Sequence, residues 1–290
     1  ADPEVVECNM MAMPGIALAS LTQHMINVCE NRADALAVID IEDDYVPRNW
    51  STTNEAGRMP NVDNAIATLR DRGINSSYAC TYFPWVQIQD TLTGQFLWAP
   101  PSVVALGTMA SSAKKTDVWF APAGFTRGGL TEGSAGLPVL QVRHRLSSKE
   151  RDKLYEANIN PIAQFPSEGI VIFGQKTLQV TQSALDRINV RRLMVYLKKN
   201  VSRMAKTVLF DQNVQTTWSR FISKVDPFLA SVKSRFGLTE YKIILDETTT
   251  TPELIDRNIM YAKIFLKPAR AIEYIAIDFV ITDSGASFDD

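Results

Sequence analysis

Asn158-Ile159-Asn160-Pro161-Ile162, Gln164-Phe165-Pro166-Ser167-Glu168-Gly169 and the apolar burst Ile170-Val171-Ile172-Phe173-Gly174 open the stretch that decides the fold, which runs on to Leu209. The burst is β-branched and bounded by Gly169 and Gly174, the punctuation of a buried strand. A helical pattern follows from Ser183 to Leu209, where Leu185, Ile188, Leu193, Leu197, Val201, Met204 and Val208 recur at spacings of three, four and five. Arg187, Arg191, Arg192, Lys198, Lys199, Arg203 and Lys206 occupy much of the remaining helix surface. Such a strand and helix supply a core and also offer a basic surface, and function is to be sought on that surface.

The 290 residues suit one large or two medium domains with a sizeable core. The net charge of −2 argues against a general nucleic-acid binder, but it hides an asymmetry. Residues 1–145 hold 10 Lys+Arg against 15 Asp+Glu, and residues 146–290 hold 20 against 17, so the basic excess lies in the second half. Cys8, Cys29 and Cys80 are odd in number and lack CxxC spacing, which argues against a disulfide framework or a zinc ribbon and suits packed thiols in a reducing compartment. No apolar run approaches the roughly 18 residues of a spanning helix, so no membrane partner is expected. The opening Ala1-Asp2-Pro3-Glu4 is neither a signal peptide nor an initiator methionine and reads as the start of a fragment of a longer chain.

Residues 8–12 read as a strand closed by Pro14-Gly15, Leu18–Asn31 as a helix and Ala35–Asp40 as a second strand, a β-α-β beginning typical of a parallel sheet. Asn61–Asp71 is another amphipathic helix, and Tyr78–Phe83 is again strand-like. Trp85–Gln89 and Gln95–Trp98 flank a turn holding Gly94, as in a hairpin. Val103–Ala113 reads as a small-residue helix. The glycine-dense passage Trp119–Gly136 reads as a long irregular loop. Ser147-Ser148-Lys149-Glu150 is a capping box opening a short helix. Val214–Phe236 carries a clean three-four apolar stripe from Trp218 to Phe236, interrupted by Pro227, which predicts a kink or restart. Tyr241–Leu245, Met260–Leu266 and Ile272–Thr282 read as closing strands.

The fold class expected is α/β in two domains, 1–145 and 146–290, each a sheet flanked by helices. The second is expected to hold a mixed sheet and the two long amphipathic helices.

Catalytic chemistry has little to work with. His24 lies on a helix between apolar neighbours, and His144 lies between two arginines on a strand; both read as structural. No nucleophile elbow, zinc-protease motif, P-loop or dinucleotide fingerprint appears. Asp40, Glu42, Asp43 and Asp44 follow a predicted parallel strand, where α/β sheets often place ligands. They support one alternative function, a Mg²⁺-dependent enzyme acting on a phosphorylated substrate; a solvated acidic loop is the plainer reading. The basic helix face could meet nucleic acid, membrane or an acidic protein, but the interleaved aromatics that accompany nucleic acid are missing. No catalytic residue, cofactor site or metal site is assigned.

Several short motifs resemble the tail sheath proteins of contractile-tailed bacteriophages, in the same order along nearly the whole chain. They are Ser76-Ser77-Tyr78-Ala79, Tyr82-Phe83-Pro84-Trp85, Pro100-Pro101-Ser102, Trp119-Phe120-Ala121-Pro122-Ala123-Gly124 and Asn158-Ile159-Asn160-Pro161-Ile162. Gly169–Leu178, Arg187-Ile188-Asn189-Val190-Arg191-Arg192-Leu193, Ile255-Asp256-Arg257-Asn258, Lys267-Pro268-Ala269-Arg270, Ile275–Ile281 and Gly285–Asp290 complete the series. The resemblance implies a structural sheath subunit from the C-terminal portion of a larger protein. Its partners would be neighbouring sheath subunits in homo-hexameric rings stacked helically around a tail tube protein. The sheath would assemble in the host cytoplasm, reside in the virion tail and contract to drive the tube through the host envelope.

On that resemblance, residues 1–145 would form an outer domain and 146–290 the tube-proximal core. Arg220, Lys224, Lys233 and Arg235 on the second long helix are the expected tube contacts, with Arg191, Lys198 and Lys199 the alternative set, or the contacts to neighbouring subunits. Ile275, Ile277, Phe279 and Ile281 alternate onto one face of the last strand, and the family implies strand exchange between subunits there. The upstream arm that would complete the exchange is not visible in the sequence, so this chain alone is expected to be a monomer with an unfilled sheet edge.

Overall fold

A computed structural model of the chain describes residues 5–41, 62–90 and 92–276. Its central layer is a five-stranded sheet in the order β1-β2-β3-β7-β8, formed by β1 (Met10–Ala12), β2 (Leu36–Ile39), β3 (Ala79–Phe83), β7 (Asn160–Phe165) and β8 (Gly169–Ile172). The pairs β1/β2, β2/β3 and β3/β7 are parallel, while β7/β8 is an antiparallel hairpin. β2 and β3 are buried along their whole length. Their alternation sends Leu36, Val38, Cys80 and Tyr82 into one hydrophobic cluster and Ala37, Ile39, Ala79 and Phe83 into another. A strand with period two that is apolar on both faces is the middle of a three-layer sandwich.

Helices α1 (Ala19–Arg32), α2 (Val62–Asp71) and α5 (Ser148–Glu156) contribute Met25, Ile26, Cys29, Val62, Leu69 and Leu154 to the second cluster. The first cluster is covered by α3 (Pro101–Lys115) and by a separate antiparallel sheet of β4 (Val86–Gln89), β5 (Phe96–Ala99) and β6 (Val139–Val142), ordered β5-β4-β6. Gly107 is where α3 meets the glycine-dense loop: a Cβ there would lie 2.1 Å from the Ala135 carbonyl oxygen. That loop includes one short helix, α4 (Gly124–Arg127).

The expectation of one sheet on each side of residue 146 does not hold. β7 and β8, from the second half, hydrogen-bond onto β3 of the first, so a single sheet runs across the proposed boundary. The strand that makes this join was concealed by Pro161, a residue that argues against an interior strand because it lacks an N–H donor. Here Asn160 compensates. Its buried amide donates to the carbonyls of Thr81 and Lys176 at 3.0 and 2.8 Å and accepts from the Lys176 N–H at 2.6 Å.

After β8 the chain makes a 3-10 turn at Ala184–Asp186 and enters α6 (Ile188–Lys206), then α7 (Gln215–Ser234). Helix α7 runs through Pro227 without a break, because in a helix packed on one side the lost hydrogen bond falls on the exposed face. β9 (Leu238–Ile244), α8 (Pro252–Asp256) and β10 (Lys263–Pro268) follow, with β9 and β10 forming a two-stranded antiparallel sheet.

Helix α5 carries its capping box in full. The Ser147 hydroxyl accepts from the Glu150 N–H at 3.3 Å, and the Glu150 carboxylate accepts from the Ser147 N–H at 2.7 Å. Burial pushes the Glu150 carboxyl up, but Ser147 and the neighbouring His144 outweigh it and hold the group at about 2. A depressed folded value means stability that is present above the unfolded value and lost as pH falls through the folded one. Urea denaturation should therefore show wild type more stable than Glu150→Gln at pH 6, with the difference vanishing between the ordinary carboxyl value of 4.5 and about 2.

Candidate assembly interface

A separate packed unit is built from α6, α7 and the sheet of β9 and β10. Leu193 and Leu197 of α6 and Trp218, Phe221, Val225, Leu229 and Val232 of α7 are buried against one another, together with Trp119 and Leu238. The sheet of β9 and β10 packs on them, with β10 alternating regularly and β9 irregular at its first residues, where the register shifts. Cross-strand pairs Ile264–Ile243 and Leu266–Tyr241 face the helices, while Phe265–Lys242 and Lys267–Glu240 face outward. Among the described residues no other strand pairs with either long edge of this sheet. Phe236, expected at the end of the apolar stripe, is instead 75% exposed, because the chain leaves the helix there in a left-handed conformation with φ 63°.

The basic residues divide into two groups that the sequence pattern merges. Arg191 and Arg192 do not lie on the surface as expected; they are 7% and 5% exposed. Arg191 lies 3.9 Å above the Tyr78 ring and donates to the Ser77 hydroxyl, and Arg192 donates to the Met109 carbonyl at 3.1 Å. Burial pulls both guanidiniums below the usual arginine range, and no carboxylate among the described residues pairs with either. These two side chains join α6 to α3 and the central sheet. Lys198 is exposed, whereas Lys199 and Arg203 both reach Glu7.

On α7, Arg220 and Lys224 lie one turn apart on an exposed face. Arg220 reaches Asp211 at 2.7 Å and Lys224 reaches the Thr207 hydroxyl at 2.8 Å, so both lean toward the α6–α7 connection. Lys233 and Arg235 lie near the other end of the helix. Arg235 is tied to the body: it pairs with Asp117 at 2.8 Å, lies 4.8 Å over the Trp119 ring, and its carbonyl accepts from the Trp119 indole at 2.9 Å. The four residues expected to act together are thus an exposed pair, a further lysine and a structural arginine.

Of the expected exchange residues, Ile275 is 79% exposed in a segment that forms no ladder, and Ile277, Phe279 and Ile281 lie outside the described residues. Glu42, Asp43 and Asp44 also lie outside them. Asp40 is 1% exposed and fully occupied by protein donors: it accepts from the Gly15 N–H at 2.9 Å, the Ser102 N–H at 3.0 Å and the Ser102 hydroxyl at 2.7 Å. Burial raises its pKa, and those three donors oppose the rise. Standing at the N-terminus of α3, it satisfies a helix N–H group and fixes the Pro14-Gly15 turn. Among the described residues no group of three or more His, Cys, Asp or Glu could hold a metal, and no helix is long and apolar enough to cross a membrane. The three cysteines are free thiols; burial pushes Cys29 up to about 11 and Cys80 up to about 12.

Residues 180–282 match the family model described as the phage tail sheath C-terminal domain, and this span contains α6, α7, β9, α8 and β10. The tail sheath protein of Vibrio phage KVP40 is 32% identical over 300 residues, covering 99% of this chain and 44% of the relative. The chain is a homologue of phage tail sheath proteins. The tail sheath protein of Enterobacteria phage T4 is 31% identical over 298 residues, so the chain spans 44% of the length of each of these two relatives. The sheath complex of an extracellular contractile injection system in its contracted state shares the mixed α/β fold, with a TM-score of 0.74 at 23% identity over 96% of this chain and 72% of that one. The contracted helical sheath of the anti-feeding prophage gives 0.72 at 20% identity over 96% and 71%.

Two substitutions test these structural assignments. In Asp40→Asn the amide nitrogen must oppose the N–H of either Gly15 or Ser102, and urea denaturation should show a loss of about 1–3 kcal/mol. Arg192→Met should leave stability within about 1 kcal/mol of wild type or raise it, because the ion it removes has no charged partner, whereas Arg192→Ala leaves a cavity and should lose about 2–5 kcal/mol.

Proposed function

We propose that the chain is a structural, non-catalytic part of a contractile phage tail sheath, polymerising as helically stacked hexameric rings around a tail tube and contracting to drive the tube through the host envelope. The observation that carries this reading is the coincidence of two things in residues 180–282. The span matches the sheath C-terminal domain, and it presents a two-stranded sheet backed by helices whose long edges are unpaired among the described residues. Open edges of a backed sheet accept an added strand through backbone hydrogen bonds, which tolerate small rotations between subunits. On this reading the segment bearing Ile275, Ile277, Phe279 and Ile281 adds to a neighbouring copy and links subunits through contraction. The unit of α6, α7, β9 and β10 is the tube-proximal part and the three-layer sandwich lies outside it. The product belongs to the virion tail and is assembled in the host cytoplasm. Energy for contraction resides in two alternative packings of the assembly, without nucleotide or metal.

Arg220 and Lys224 are the tube contacts favoured by exposure. Their present partners are a surface aspartate and a hydroxyl, which a tube carboxylate can replace at little loss. The double charge reversal Arg220→Glu, Lys224→Glu should leave the fold within about 0.5 kcal/mol of wild type. It should reduce tube-templated assembly roughly tenfold or more in a pelleting assay read by electron microscopy, because like-charge juxtaposition at an interface costs several kcal/mol. Unchanged assembly would remove these residues from the tube interface.

A further inference from the structure

The segment that leaves β10 crosses the body before it reaches the proposed exchange residues. It forms neither helix nor strand from Ala269 to Ala276, and from Arg270 onward it is outward-facing at nearly every position: Ile272, Tyr274 and Ile275 are 84%, 80% and 79% exposed. Glu273 is the exception, with its side chain 17% exposed. It accepts a bidentate pair from Arg187, Nε to Oε1 at 2.6 Å and the terminal nitrogen to Oε2 at 2.9 Å, and a third bond from the Gln175 amide at 3.3 Å. Arg187 is the residue from which α6 starts, and Gln175 lies in the turn held by Asn160. The receiving side is therefore among the best-braced parts of the fold.

The site also carries the marks of a built receptor. Gln175 is 3% exposed, and its amide oxygen has no partner, so its orientation is set by the bond it gives to Glu273. Lys176 stands beside Arg187, its charge disfavoured by burial and then by that guanidinium, and it caps the Tyr155 carbonyl at 2.7 Å. Two half-buried cations thus face one carboxylate that arrives from the terminal segment, with Asp186 flanking Arg187 at 3.2 Å. Bidentate guanidinium–carboxylate pairs fix direction as well as distance.

We propose that Glu273 is the anchor at which the terminal segment is fixed to its own subunit, so that the exchanged arm begins at Tyr274 and its direction of departure is set by the Arg187 fork. Residues 269–273 then act as a strap belonging to the body, spanning a groove of about 670 Å³ that Phe125, Phe173 and Tyr155 also line. Without the anchor the free arm would begin at Pro268, where β10 ends, and a longer flexible tether lowers the effective concentration of its tip at a neighbour. The consequence for assembly rests on the sheath reading; the anchor itself does not.

Backbone nitrogen-15 relaxation on the dilute chain separates the two. In wild type residues 271–274 should be as ordered as the body, and Glu273→Ala should lower their order parameters below about 0.6, the range of a flexible tail, while the circular dichroism stays unchanged. Arg187→Lys, which keeps the charge but loses the fork, should fall between the two. Equal order in wild type and Glu273→Ala overturns the anchor. Lower order together with unaltered tube-templated assembly overturns its role in exchange. Lower order with fewer or shorter tubes supports both parts. A wild type that does not assemble on a tail tube overturns the sheath reading and the assembly role with it, and the order parameters then judge the anchor alone.

Discussion

The buried amide of Asn160 is the interaction on which the arrangement of the chain depends. A proline follows it inside a strand that must sit between β3 and β8, and the sheet hydrogen bond missing at Pro161 has to be offset locally. Asn160 does so by bonding sideways to Thr81 of β3 and forward to both backbone groups of Lys176. One side chain therefore joins the first half of the chain to the turn that launches α6. Gly174 answers the same constraint: a Cβ there would lie 2.9 Å from both the Asn160 side-chain oxygen and the Pro161 ring. The short motif Asn158–Ile162 and the glycine that ends the apolar burst are thus two sides of one contact, although they lie more than ten residues apart.

Local elements were legible where one signal dominated. The Ser147–Glu150 capping box, the strand runs read at Ala35–Asp40 and Tyr78–Phe83, and the three-four stripe of α7 as far as Val232 each rest on short-range signals, and each is present. What spacing could not reveal was the long-range joining of strands. Pro161 hid β7, and without β7 nothing in the sequence says that residues 160–172 belong to the sheet begun at Met10. The Arg191–Arg192 pair misled for a different reason. On a helical wheel, arginine next to an apolar stripe reads as solvated, because burial of an unpaired guanidinium is expensive. A tyrosine face, a serine hydroxyl and a backbone carbonyl supply the compensation here, and those come from residues 77, 78 and 109, far away in sequence.

The acidic stretch at Asp40 illustrates how position alone can suggest chemistry. The end of a parallel strand beside a helix N-terminus is where ligands gather in α/β proteins, and a carboxylate there satisfies the sequence criterion for a cation site. The same location has a structural use, since the first turn of α3 has unpaired N–H groups that a carboxylate can accept. Three protein donors converge on Asp40, so the carboxylate has a structural use within the fold. The anchor at Glu273 went unseen for the converse reason. A single glutamate within an apolar segment carries no motif, and its meaning depends on Arg187 and Gln175 being brought to it by the turn that Asn160 holds.

A two-stranded ribbon is marginal by itself and stable here because Ile243, Ile264, Leu266 and Tyr241 rest on the helices. Its outer surface is the opposite in character: Lys242, Lys263, Lys267 and Glu240 are all exposed, with Lys267 and Glu240 paired across the strands at 3.3 Å. Lysines on an open sheet discourage chance pairing, because any strand laid alongside must accommodate their charge. The ribbon is thus held flat from behind and guarded in front, available to a partner that neutralises the lysines and closed to one that does not. On the proposed strand exchange that partner would be a segment of an identical subunit, arriving in one register and one direction. Selectivity would then depend as much on how the incoming segment is aimed as on the ribbon that receives it, and the proposed anchor at Arg187 would supply the aim.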